Sequence, residues 1–163
     1  MLKIGLLSDT HSFWDQRYIK YFKDCNEIWH AGDIGSLELV EKFENFKPFR
    51  AVYGNIDDVK IRSCFPENLR MNIENTDILM THIGGYPGRY SPQVKQILET
   101  NPPKILISGH SHILKVIYDK KYDCLTINPG AAGKYGFHKV RTLVKFILEN
   151  NNIRDLEVIE LSD

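Results

Sequence analysis

The amino-acid sequence predicts an α/β fold in which two packed β-sheets carry helices on their outer faces, and three observations lead there. Over the first third of the chain, short apolar runs alternate with amphipathic helical patterns, the mark of a parallel sheet. The remainder is mostly β, which brings the total to about ten strands, more than one ordinary flat sheet holds in so small a protein. A length of 163 residues with 42% hydrophobic and 26% charged side chains suits one domain, 1–163, with a sizeable core.

The elements follow in order. Residues 2–8 are apolar and end in polar residues, which reads as a buried strand because the run is too short for a helix. From Gln16 the pattern changes: Tyr18, Tyr21, Phe22 and Cys25 recur at helical spacing among charged residues, a helix returning over the sheet. Residues 27–30 form a second strand, 37–46 a second helix with Leu39, Val40 and Phe43 inward, and 49–53 a third strand. Residues 69–73 and 78–80 then flank Glu74-Asn75-Thr76-Asp77, expected to be the turn between two antiparallel strands. Ser91-Pro92 sets a capping residue before a proline at the first helical position. Val94, Ile97 and Leu98 supply that helix's buried face, and Asn101-Pro102-Pro103 stops it. Strands follow at 104–107, at 114–118 and 124–127 around Lys120-Lys121, and at 141–148 and 153–161 around three asparagines, 150–152.

Lys plus Arg equals Asp plus Glu at 21 each, so no global positive field favours nucleic acid or an anionic membrane as partner. The three cysteines, Cys25, Cys64 and Cys124, form no C-x-x-C pair, which argues against a disulfide framework and a zinc ribbon and fits a reducing cytoplasm. The first apolar run is shorter than a signal-peptide core, and no later stretch approaches the roughly 20 apolar residues of a membrane span. The expectation is a cytoplasmic protein.

The informative polar residues stand at strand ends: Asp9 and His11 after the first strand, Asp33 after the second, Asn55 and Asp57 after the third, His82 after the hairpin strand, and His110 and His112 after the strand at 104–107. In open α/β sheets, ligand sites lie beyond the carboxyl ends of strands, where residues distant in sequence converge. Asp9-Thr10-His11 and Gly109-His110-Ser111-His112 each offer two ligand-type side chains two residues apart. Gly32, Gly54 and Gly109 permit backbone shapes and close approaches that a side chain obstructs. Imidazole, carboxylate and amide oxygen without thiolate suit Mn(II), Fe, Ni(II) or Zn(II) rather than a structural thiolate zinc or an all-oxygen calcium site. Singly, each has a plainer reading: Asp9 and Asp33 as helix caps, Gly54-Asn55 as a turn. Local roles do not account for the whole set in order at successive strand ends.

The ordered set Asp9-x-His11, Gly32-Asp33, Gly54-Asn55-x-Asp57, His82 and Gly109-His110-x-His112 resembles the calcineurin-like metallophosphoesterase family, and the short length resembles its small, cap-less phosphodiesterase branch. The similarity runs from Ile4 to about Ala131 and includes Asn128-Pro129-Gly130. It implies a four-layer α-β-β-α sandwich of two mostly mixed sheets with flanking helices. It implies two divalent metals, Mn or Ni foremost with Fe or Zn as further options. Asp9, His11, Asp33 and His112 would bind the first, and Asn55, His82 and His110 the second, with Asp33 as bridge. The implied reaction is in-line attack on a small phosphate ester, a diester rather than a monoester, by a hydroxide shared between the two metals. Asp33, Asn55 and Asp57 are the expected catalytic group.

One position departs from the family. Many members carry a histidine after the Gly-Asn motif, placed to assist the leaving group, and here that residue is Ile56. Asp57 is expected either to orient a metal-bound imidazole or to be a turn aspartate. His30 is expected to be packed and hydrogen-bonded and His138 to have no metal role; Arg89, Lys134 and Tyr135 lie in loops that could rim the cleft and contact phosphate, but solvated loop charges are common and no spacing singles them out. Phe13, Trp14, Tyr18 and Phe22 read as the entry and core face of the first helix. Trp14 reads alternatively as a subunit contact, which leaves a homo-oligomer open. The rival to an enzyme is a protein-binding scaffold with little or no catalysis, because the fold also resembles the phosphoesterase-like subunit of the retromer coat.

Overall fold

The computed structural model describes residues 1–162. The elements are β1 (Leu2–Leu7), α1 (Arg17–Phe22), β2 (Glu27–His30), α2 (Leu37–Phe46), β3 (Phe49–Ala51), α3 (Val59–Arg62), β4 (Asn68–Ile73), β5 (Thr76–Thr81), α4 (Pro92–Thr100), β6 (Ile105–Ile107), β7 (Leu114–Asp119), β8 (Cys124–Pro129), β9 (Arg141–Glu149) and β10 (Asn152–Leu161). One five-stranded sheet has the order β10-β9-β1-β2-β3 and the other β4-β5-β6-β8-β7. Each has a parallel block of three, β1-β2-β3 along one side of the first sheet and β5-β6-β8 in the centre of the second, completed by antiparallel strands. Both sheets are therefore mixed, as the resemblance implied.

Alternation of side chains across the strands creates three apolar layers. Between the sheets lie Ile4, Leu6, Trp29 and Val52 from the first and Met71, Ile78, Met80, Ile105, Ile107 and Ile127 from the second. On the outer face of the first sheet, Tyr18, Phe22, Leu39, Val40, Phe43 and Ile61 bring α1, α2 and α3 onto Leu7, Ile28 and Ala51. On the outer face of the second, Val94 and Leu98 of α4 cover Leu79, Leu106 and Cys124. Each fully buried large side chain contributes about 1.5–3 kcal/mol. The cap of α4 is as the sequence indicates, with Ser91 accepting from the Val94 amide at 3.3 Å. Trp14 packs against Tyr18 and Phe43, on the core side of α1. No helix among the described residues is long and apolar enough to cross a membrane.

Two sequence expectations need correction, and one element was not expected. The turn after β4 is Glu74-Asn75 alone: both residues have positive φ, 51° and 61°, and Ile73 pairs with Thr76, so Thr76 and Asp77 belong to β5. Such a two-residue loop matches the twist of the strands it joins. The strand expected over 49–53 pairs only through Ala51, after which the Tyr53 amide turns to the Pro66 carbonyl. Finally, α3 has no counterpart in the sequence reading. Its four residues are too few to show a period; Asp58 caps it by accepting from the Ile61 amide, and Ile61 is its single buried residue.

Candidate metal centre

The parallel strands of both sheets end on one edge of the sandwich, and the loops leaving them are laced together. The amides of Asp9, His11 and Ser12 donate to the carbonyls of Gly32, Asp33 and Ile34, and the Gly109 amide donates to the His82 carbonyl. Asp9, His11, Asp33, His110 and His112 all take positive φ, uncommon for non-glycine residues and held here by the surrounding bonds. Two glycines make room. Gly32 has φ +104°, and a Cβ there would press on the His82 ring, while a Cβ on Gly54 would collide with Asp33 Oδ1.

Two triads of ligand-type side chains result, Asp9/His11/His112 and Asp33/His82/His110, each with its ligand atoms within 4.8 Å of one another. They meet at Asp33. Its Oδ2 lies 3.4 Å from His11 Nε2 and 3.2 Å from His82 Nε2, whereas its Oδ1 accepts from the Ile56 amide at 3.0 Å. A single oxygen, rather than one from each side of the carboxylate, faces both triads. Asp9 is arranged likewise: Oδ2 accepts from Ser8 Oγ and the His110 amide, leaving Oδ1 turned inward, 3.2 Å from His112 Nε2 and 3.7 Å from His82 Nε2. Asn55 Oδ1 stands 3.0 Å from His110 Nδ1, on the exposed side.

The imidazoles are oriented from behind. A carbonyl only accepts, so His82 Nδ1 donates to the Ala31 carbonyl at 2.8 Å and its Nε2 presents a lone pair to the centre. His138 Nε2 donates to the Gly133 carbonyl at 2.8 Å, which makes His138 Nδ1 the acceptor for His112 Nδ1–H at 3.2 Å. The His112 Nε2 lone pair thereby also points inward. The sequence offered no sign of this: His138 lies 26 residues from His112 in no recognisable motif. Tyr135 lies against the His11 ring at 4.8 Å between centroids.

Asp57 is buried and accepts from the amides of Ile34, Gly35 and Gly54 at 2.8–3.2 Å. Among the described residues its side chain bonds only backbone amides, tying the Asp33 loop to the Asn55 loop, and the imidazoles are oriented instead by Ala31 and His138. The Ile56 side chain is exposed. His30, fully buried, accepts from the Gly32 amide and bonds the Thr10 hydroxyl, and burial pushes its imidazole down to about 3. It is packed, bonded and neutral.

The polar atoms at the centre fit divalent metal. Asp9 Oδ1, His11 Nε2 and His82 Nε2 are buried with no hydrogen-bond partner, a condition that native proteins avoid unless a ligand answers it. Burial raises Asp9 and Asp33, but the neighbouring imidazoles, with the Ser8 hydroxyl and the Ile56 amide, outweigh it and hold both carboxyls below their ordinary value. Burial lowers His11. His82 also feels burial, yet Asp33 and Asp9 raise it overall. Inward lone pairs on nitrogen and ionised oxygen, without thiolate, form the borderline donor set that first-row divalent ions take.

Fold and centre together define a metal-binding phosphoesterase class, with a two-sheet sandwich and a histidine–aspartate cluster at its carboxyl edge. The chain belongs to the calcineurin-like phosphoesterase superfamily, whose domain model matches residues 2–151. A "probable metallophosphoesterase" of Methanothermobacter thermautotrophicus is 29% identical over 134 residues, 78% of this chain and 76% of that protein. An archaeal phosphodiesterase of known structure superposes with a TM-score of 0.79 at 24% identity, over 98% of this chain and all of that one. Vps29 from Entamoeba histolytica superposes with a TM-score of 0.75 at 15% identity, over 99% of this chain and all of that one.

Proposed function

We propose that the protein is a metal-dependent phosphodiesterase that holds two divalent cations at this edge. Asp9, His11 and His112 would hold the first and Asn55, His82 and His110 the second, with Asp33 shared between them. The observation that carries the reading is the convergence of three buried, unpartnered atoms, Asp9 Oδ1, His11 Nε2 and His82 Nε2, around Asp33. Mn(II) or Ni(II) suits the mixed nitrogen and oxygen set best. Held there, such ions would supply a water of lowered pKa and charge that neutralises phosphoryl oxygens.

The chain's own groups keep that chemistry in register. Asp33 Oδ1, bound to the Ile56 amide, fixes the direction of Oδ2. The backing bonds of His82 and His112 keep their lone pairs inward, and the Asp57 carboxylate holds the Asp33 and Asn55 loops at a set distance. Preference for a diester is supported by the openness of the site: Asn55 and His110 are exposed, and clefts of about 260 Å³ and 330 Å³ flank His110 on two sides, room for both substituents of a diester. The similarity to an archaeal phosphodiesterase points the same way. Ile56 donates no proton, so esters with stable leaving groups are favoured.

A scaffold role, which the likeness to Vps29 brings to mind, would not require inward-facing imidazoles backed by second histidine and carbonyl partners. The test is hydrolysis of bis(p-nitrophenyl) phosphate and of p-nitrophenyl phosphate by the chelator-treated and the Mn(II)-reconstituted protein. Turnover of the diester in excess of the monoester, abolished by chelation, is expected with about two metals per chain. Full activity with one tightly held metal overturns the two-cation reading.

A further inference from the structure

The cleft of about 260 Å³ beside His110 is lined by the loop between β5 and α4 and by the start of β7. It holds two cations, Arg89 and Lys115, and no Asp or Glu contributes to its wall. Among the described residues neither side chain has an ion-pair partner. Lys115 instead rests over the Tyr86 ring, its ammonium 3.3 Å from the ring centre, which holds the charge in place without neutralising it. Ser111 Oγ, which lines the cleft, accepts from the Ile113 amide and from Asn128 Nδ2, which leaves its own hydrogen available to an acceptor. The chain as a whole has no net charge, which makes an uncompensated pair of cations in one cleft a local feature.

In a wall that is otherwise largely apolar, two uncompensated cations and a hydroxyl select an arm carrying a group that only accepts, and a phosphoryl group is the one that matches several donors at once. Because the cleft shares His110 with the proposed metal centre, a substrate with one phosphate at the centre would reach it with one of its arms. Resting on the phosphodiesterase reading, we infer that the cleft is a subsite for a second phosphoryl group, and that the preferred substrate is a phosphodiester with a phosphorylated arm, bound by Arg89, Lys115 and Ser111.

The experiment compares thymidine 5′-(p-nitrophenyl phosphate) with the same ester carrying an added 3′-phosphate, using the Mn(II)-reconstituted full chain. The added phosphate is expected to raise kcat/KM about tenfold or more, chiefly through KM, as charge-assisted bonds to two cations allow. In the Arg89→Ala/Lys115→Ala variant the ratio of the two substrates is expected to fall to about one. A ratio near one in the native protein, or a high ratio that survives the double substitution, overturns the subsite while leaving the phosphodiesterase reading intact. Turnover of neither ester by the reconstituted protein removes that reading instead. Calorimetric titration of thymidine 3′,5′-bisphosphate against thymidine 5′-phosphate then decides the cleft by itself: a bisphosphate advantage lost in the double variant supports it, and equal binding of the two ligands by the native chain overturns it.

Discussion

Backbone with positive φ occurs at both ends of the sandwich, but for different reasons. At the end away from the candidate centre it belongs to turns: Glu74-Asn75 and Asn150-Asn151 connect paired strands, and Asp123 lies just before β8. Asparagine and aspartate tolerate this conformation, and a two-residue loop in a twisted hairpin demands it, so local chemistry is sufficient. At the other end Asp9, His11, Asp33, His110 and His112 share the conformation without being the central pair of any hairpin. There it is held by bonds between loops from different strands, such as the His11 amide to the Asp33 carbonyl and the His110 amide to Asp9 Oδ2. Strain of order 1–3 kcal/mol per residue persists only when the surroundings over-determine it. One end is shaped by neighbours in sequence, and the other by neighbours in space that include the ligand-type side chains.

Substitutions at the two ends should therefore differ in kind. The largest effect is expected at Asp33, where one oxygen faces both triads. Asp33→Asn should reduce diester turnover by about 10³-fold or more and His11→Gln by about 10²-fold, since on the proposed two-cation reading the first would weaken both sites and the second only one. Elemental analysis and turnover of the two variants make the comparison. Equal residual activity with both metals retained contradicts a shared oxygen.

Next comes Asp57, the clasp between loops. Asp57→Ala leaves the amides of Ile34 and Gly54, both buried, and of Gly35, partly buried, without their acceptor and should cost about 3 kcal/mol of stability, measured by urea unfolding of the chelated protein. A loss below about 1 kcal/mol would mean that the loops at the centre hold each other without it.

Acid should also act at the end with the candidate centre. His30, fully buried, has its folded-state value pushed down to about 3 from an ordinary 6.5, so below about pH 6.5 the unfolded chain takes up a proton that the folded chain refuses. Stability contributed by neutral His30 is present above pH 6.5 and falls as pH drops towards 3, by about 2 kcal/mol at pH 5. His30→Gln should flatten this slope of unfolding free energy against pH, whatever its effect at pH 7. An unchanged slope would assign the acid sensitivity elsewhere.

The smallest effect belongs to the hairpin end. Asn75→Ala should cost about 1 kcal/mol and Asn75→Gly close to nothing, because only the backbone conformation is at stake. Neither should alter metal content or turnover. A loss of activity on Asn75→Gly would break the separation of the two ends.

Much of this was open to reading from residues in order. Leu39, Val40 and Phe43 mark the inward face of α2, and Ser91-Pro92 marks the start of α4, because helical period and capping act over a few residues. The ligand-type residues were visible for a related reason: in a parallel sheet they must follow strands, so Asp9-x-His11 and Gly109-His110-x-His112 announce both their spacing and their address. Features that involve no local period were not legible. The four-residue α3 and the two-residue turn at Glu74-Asn75 fall below the length at which a pattern can show.

The tertiary structure alone decided which oxygen of Asp33 faces both triads, that Asp57 serves backbone amides, that His138 backs His112, and that Arg89 and Lys115 share one cleft beside His110. These pairings join residues from separate loops, brought together by sheet order and by the packing of one sheet on the other. A side chain's type and position in sequence state what it can bind; which partner it meets depends on where distant strands end, and that is settled only when the two sheets close on their common core.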